Sequence, residues 1–183
     1  MLKLLFRNWH RYVLCALLSV IIWAWVFTLL FYAPPKKRIA LYADLPVIDG
    51  NGLSILLEED LPDGIRRVEA ANLDLSVFDA DTVANGDLYL IRESDLQAVL
   101  PSFCEINRSL FPGETFYEAD GKTYGILVFD REQGLNTAGD CLFYAPNERY
   151  YLLFNKDSGH LGAWNGSPDD AAITVAQHFL KLR

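Results

Sequence analysis

Between Val13 and Ala33 the chain reads VLCALLSVIIWAWVFTLLFYA, 21 residues with no charge, in which only Ser19 and Thr28 carry a hydroxyl. A helix rises about 1.5 Å per residue, so such a run covers about 30 Å, the hydrocarbon thickness of a bilayer. A core helix of a water-soluble domain keeps a polar face, and this run has none. Everything beyond Pro34-Pro35 is therefore expected to be a domain tethered to a membrane.

Three kinds of N-terminal segment share this hydrophobic character. A cleaved signal peptide needs small residues at the third and last positions before the cut, but Phe31 is bulky and Pro34 follows the one candidate, Ala33. A lipid-modified anchor needs a small residue before its cysteine, and Cys15 follows Tyr12-Val13-Leu14. The expectation is an uncleaved signal-anchor, with a short cytoplasmic tail (1–12), a transmembrane helix (13–33), a spacer (34–38) and an extracytoplasmic domain (39–183). Trp9 and Tyr12 at one end, and Phe31 and Tyr32 at the other, sit where aromatic rings favour the headgroup region. Lys3, Arg7 and Arg11 balance Lys36, Lys37 and Arg38, so charge does not orient the span. The shortness of the tail places the amino terminus inside and the domain outside a cell membrane crossed once.

Residues 39–183 are enough for one domain with a sizeable core. They hold all 24 acidic residues against 10 Lys and Arg, a formal charge of −14. Such a surface repels phosphate backbones and anionic headgroups, so nucleic acid is not an expected partner; solubility alone also accounts for the charge. Cys104 and Cys141 lie in the domain and Cys15 in the span. In an exported domain the pair either forms a disulfide, stabilising by roughly 3–4 kcal/mol in the chain-entropy model, or stays as two buried thiols. No CxxC or Cys/His cluster with zinc spacing occurs, and neither a metal nor a cofactor is expected.

Strand and helix signals alternate along the domain. IALYADL (39–45), IRRVEA (65–70), DLYLI (87–91) and RYYLLFN (149–155) read as strands, and Asp120-Gly121 closes a hairpin between 115–119 and 122–129. Asp49-Gly50-Asn51-Gly52 reads as a turn, 53–60 as a short helix, and the acidic stretch from Asp74 begins like another. A helix over Leu96–Leu100 is expected after a Ser94 or Asp95 cap, stopped or kinked at Pro101. Ser167-Pro168-Asp169-Asp170 has capping-box spacing for a final helix whose apolar face is Ala172, Ile173, Ala176, Phe179 and Leu180. The expected architecture is α/β: a mostly parallel sheet with flanking helices, in which 39–45, 87–91, 124–129 and 149–155 are central strands under the last helix.

Enzyme signatures are scarce. GxSxG, P-loop, GxGxxG and HExxH motifs are absent. His178 lies off the apolar face of its helix and reads as solvated, while His160 occupies a chemically varied loop with Lys156, Asp157 and Ser158. Asp79-Ala80-Asp81 opens like a calcium loop, but Val83 stands where the third ligand belongs. Asn107-Arg108-Ser109 matches a glycosylation acceptor, a pattern short enough to arise by chance.

Four segments, in order, resemble the extracytoplasmic solute-binding proteins of the type II periplasmic-binding fold. They are IALYADLP (39–46), DLYLIRESDLQAVLPSF (87–103), YEADGKTYGILV (117–128) and ERYYLLFNKDSGHLGAWNGSPDDAAITVAQHFLKL (148–182). The resemblance implies an opening strand, a strand with its short helix, a hairpin leading to the cleft, and a returning strand with the closing helix. In that family the chain crosses to a second lobe after the GILVFD strand; here residues 131–148 are too few to build one. The resemblance therefore implies a first lobe alone, a non-catalytic module binding a small solute or a transporter or sensor subunit. A small enzyme or thiol-dependent protein using Cys104, Cys141 and His160 is the alternative, and a degenerate structural accessory of a membrane complex is a third.

In open α/β sheets ligands approach the carboxyl ends of strands. By the strand assignment those ends carry Asp44, Glu93, Ser94, Asp130, Lys156 and Ser158, with His160 and Trp164 in the following loop, and these eight are the expected binding residues.

Overall fold

A strand whose every residue is apolar must be covered on both faces, and DLYLI and YYLLF meet that condition. The structure, a computed structural model, describes residues 9–31, 33–73 and 86–183. The start of the acidic stretch, the Asp79-Ala80-Asp81 pattern and most of the N-terminal tail lie outside the described residues. Two units separate at Pro34.

The first unit is helix α1, Trp9–Phe31, which begins before the uncharged run and includes Arg11. Its Trp9–Thr28 portion is long and apolar enough to cross a membrane. Thr28 Oγ1 donates to the carbonyl of Ala24 at 2.8 Å, so this hydroxyl is satisfied within the helix.

The second unit, from Pro35, is built on one sheet. Its strands are β1 (Arg38–Ala43), β3 (Arg67–Asn72), β4 (Leu88–Arg92), β5 (Phe116–Ala119), β6 (Lys122–Asp130), β7 (Leu135–Asn136) and β9 (Tyr150–Phe154). A separate ribbon pairs β2 (Val47–Ile48) with β8 (Leu142–Phe143). The order is β3-β1-β4-β9-β6-β5, with β7 against β6. All four strands expected at the centre are there. The sheet is mixed, however, rather than mostly parallel: β1 pairs parallel with β3 and β4, while β9 is antiparallel to both β4 and β6. Hairpin β5–β6 turns through Asp120 and Gly121, with φ of 52° and 73°, the left-handed pair that a two-residue turn requires.

Side chains of the central strands feed two apolar layers. Ile39, Leu41, Leu88, Leu90, Ile126, Leu152 and Phe154 join one cluster with Leu53 and Leu57 of α2 (Gly50–Glu58) and Ile173, Ala176 and Phe179 of α5 (Ala171–Leu180). Tyr89, Ile91, Leu127, Tyr151 and Leu153 point the other way and meet Leu96 of α3 (Glu93–Val99), Leu100 and Phe103.

Three helix starts differ from expectation. Asp49-Gly50-Asn51-Gly52 is no free turn; Asp49 caps α2 by accepting from the Gly52 N–H at 2.9 Å. Helix α3 begins at Glu93 directly off β4, without a side-chain cap, because the N-cap position falls to Arg92, whose side chain offers no acceptor; the Asp95 carboxylate lies 2.9 Å from Arg92 Nε. Helix α5 begins at Ala171, not Pro168: Ser167 and Asp170 serve the four-residue helix α4 (Gly162–Asn165), and Asp169 Oδ1 accepts from the Ala171 N–H at 3.1 Å. Ser167 Oγ accepts from Leu161 N–H at 2.8 Å, and Asp170 Oδ1 from Ala163 N–H at 2.7 Å. His178 is half-buried rather than solvated, with Nδ1 shielded and without a hydrogen-bond partner among the described residues.

Candidate functional site

Because β9 runs against β4 and β6, seven of the eight residues expected at one edge fall on two. Asp44, Glu93, Ser94 and Asp130 gather where β1, β4 and β6 end. Lys156, Ser158 and His160 follow the carboxyl end of β9, which lies beside the amino ends of β1 and β4.

At the first edge the acids are already paired. Arg92 grips the buried Asp44 with two bonds, Nε to Oδ2 at 2.6 Å and Nη2 to Oδ1 at 2.9 Å. Asp130, 2 % exposed, accepts from the Glu132 N–H at 2.8 Å and from Arg149 Nε at 2.9 Å. Burial alone would push the Asp130 carboxyl up; the backbone amides of Glu132 and Gln133 and the Arg149 charge outweigh it and hold the group below its ordinary range. Arg149 also reaches Glu93 and Glu132 at 3.9 and 3.4 Å. Both guanidinium groups are pushed up, Arg92 chiefly by its bond to Asp44 and Arg149 by the charge of Asp130. Ser94 is exposed on the first turn of α3. This edge is a self-compensated ion-pair lattice, and neither arginine was among the expected residues.

The second edge encloses a cavity of about 330 Å³, within the range of small-molecule sites. Asp87, just ahead of β4, forms its floor: Oδ1 accepts from Ser158 Oγ at 2.6 Å and Oδ2 from the Ala40 N–H at 2.9 Å. Burial pushes the Asp87 carboxyl up, moderated by these two bonds and by the nearby His160 and Arg38. Ser158 Oγ in turn accepts from the His160 N–H at 3.1 Å. The His160 ring, 4 % exposed, lies between Asp169 Oδ1 at 2.9 Å from Nδ1 and the Pro35 carbonyl at 3.3 Å from Nε2. Lys36 and Arg38 stand at the rim, and Pro35, Ala40 and Pro168 give apolar wall. Ser158 Oγ is thus bonded to Asp87 and to the His160 amide, while the imidazole is held by Asp169 and the Pro35 carbonyl.

Lys156 is tied to the Pro101 carbonyl at 2.7 Å and does not join this cavity. Trp164 is on α4, edge-on to Phe154 with centroids 4.8 Å apart, and its shielded Nε1 has no hydrogen-bond partner among the described residues. It lines an open groove with Cys104, Arg108 and Thr123. Cys104 and Cys141 are free thiols, the former half-buried and the latter buried, so the disulfide is not formed. Burial pushes Cys104 up to about 11 and raises Cys141 too, which suppresses the thiolate that nucleophilic chemistry needs.

Asp87, Asp169, Lys36 and Arg38 escaped the sequence reading. Asp87 left one trace, as the acid at the mouth of a strand apolar on both faces. No family model, curated protein or solved structure matches this chain.

Proposed function

We propose that this protein is a single-pass, membrane-anchored binding module without catalytic activity, which takes a small solute in the cavity at the amino ends of β1 and β4 and carries its domain on the extracytoplasmic side. The observation behind this reading is the convergence of Asp87, Ser158, His160 and Asp169 with Lys36 and Arg38 around about 330 Å³. Fixed donors and acceptors beside an apolar wall are how small-molecule sites combine affinity with orientation. Kinship with one lobe of a type II solute-binding protein is supported by the last strand, which returns antiparallel between β4 and β6. Between β6 and β9 the chain forms only β7 and β8, leaving no second lobe to close over a ligand.

The test is a solute screen by thermal shift on the full chain in detergent micelles, compared with Gly159→Leu. Gly159 lines the cavity, and a Cβ there meets no atom within 4 Å, so a side chain can be added at the cavity wall without a backbone clash. Ligands that stabilise the wild type and not Gly159→Leu support the reading; hits that persist in the variant place binding elsewhere and overturn it.

A further inference from the structure

Resting on that reading, we infer that the cavity's ligand is an anion, a small molecule or headgroup bearing phosphate, whose charge is met at the rim by Lys36 and Arg38, with further basic residues beside them at the start of the neighbouring strand. Lys36, Lys37 and Arg38 enter β1, while Arg66 and Arg67 enter β3 about thirty residues later. Parallel pairing joins them: the Arg66 N–H donates to the Lys37 carbonyl at 2.8 Å, and Arg67 stands opposite Arg38 in register. Five of the thirteen Lys and Arg residues that follow the apolar helix therefore meet at one corner of an otherwise acidic domain.

Ion pairing is sparse at this corner. Elsewhere in the domain Arg92, Arg108, Lys122, Arg149 and Arg183 each hold a carboxylate, while Arg131, Lys156 and Lys181 hold none among the described residues. Of the five at the corner, only Arg38 holds one, bonding Glu69 at 2.8 Å; Lys36, Lys37, Arg66 and Arg67 have no ion pair among the described residues. Like charges side by side on neighbouring strands are destabilising, and a bound anion removes that cost. The interior selects the rest of the ligand. The carboxylates of Asp87 and Asp169 accept hydrogen bonds, so a molecule entering behind its phosphate needs hydroxyl or amine donors. A phosphorylated polyol and a phospholipid headgroup share this chemistry.

The test uses the full chain in uncharged detergent, titrated with glycerol phosphate, inorganic phosphate and glycerol. Glycerol phosphate is expected to bind best, more weakly as salt is raised, and about tenfold or more weakly in the double variant Lys36→Gln/Arg67→Gln. Reconstitution into nanodiscs with and without an anionic phospholipid separates the sources. If anionic nanodiscs block glycerol phosphate, the ligand is a lipid headgroup; if they do not, it is a free solute, and either result sustains the anion assignment. Equal binding of glycerol, or an unchanged double variant, overturns the assignment while leaving the cavity reading intact, provided Gly159→Leu still abolishes binding. If no probe or screened solute of any charge binds, both fall.

Discussion

Tyr150 stands opposite Arg92 in the antiparallel register of β9 and β4, and Phe154 stands opposite Leu88. The chain thus enters β9 beside the carboxyl end of β4 and leaves it beside Asp87. This reversal carries Ser158 and His160 to the amino ends of β1 and β4, away from Asp44 and Asp130, and there they close the cavity with Lys36 and Arg38.

Phe179 is fully buried between α5 and the sheet, so Phe179→Ala is expected to cost about 3–5 kcal/mol. Thr174→Ala, on the exposed side of α5, should fall within about 0.5 kcal/mol of wild type. Chemical denaturation of the full chain in micelles measures both, and similar costs at the two positions contradict the packing.

Arg92→Ala leaves the buried Asp44 carboxylate without its two bonds, an expected loss of about 1.5–3 kcal/mol. Arg92→Lys retains charge but not the two-pronged geometry and should recover only part of it. The double variant Arg92→Ala/Asp44→Ala should cost less than the two single changes added together, and simple additivity in the cycle argues against the pair.

Asp130 and Asp87 act oppositely on acid stability. Asp130 titrates below its ordinary 3.8 in the folded state, so its contribution is present above that value and is lost as pH falls through the lower folded value. Asp87 is raised above 3.8, so its contribution is full below that value and is lost as pH rises through the folded one. Unfolding midpoints followed from acid to neutral pH should show the second loss in wild type and not in Asp87→Asn; an unchanged profile in the variant refutes the assignment.

With both domain thiols free and raised by burial, alkylation at neutral pH should be slow at Cys104 and Cys141. Peptide mapping of oxidised, non-reduced protein should recover them unlinked. A Cys104–Cys141 peptide would contradict the structure.

Protease added to intact cells is expected to digest the domain and spare α1. A protected domain, or a mature chain beginning at Pro34, would remove the signal-anchor from the proposed function.

Periodicity and turn chemistry made much of the fold legible in advance. Strands β1, β4, β6 and β9 announce themselves because runs such as LYLI and YYLLF suit only a sheet covered on both faces, and Asp120-Gly121 suits only a tight hairpin. Caps were read less well, since a serine or aspartate side chain serves whichever amide lies within reach: Ser167 and Asp170 cap α4 and not the helix they precede. The candidate site was half legible. Ser158 and His160 line the cavity, whereas Asp44, Glu93 and Asp130 belong to a different edge and Trp164 to a separate groove.

By itself the sequence determined what depends on neighbours along the chain: an N-terminal helix apolar enough for a membrane, the strand and helix segments, and the acidic balance of the domain. Only the tertiary structure decided the direction of β9, and with it which ends of the strands share an edge. Direction in a sheet comes from pairing between strands far apart in sequence; β4 and β9 are separated by about sixty residues, and neither carries a mark of the other. The same holds for Arg38 and Arg67, whose meeting is a matter of register between β1 and β3.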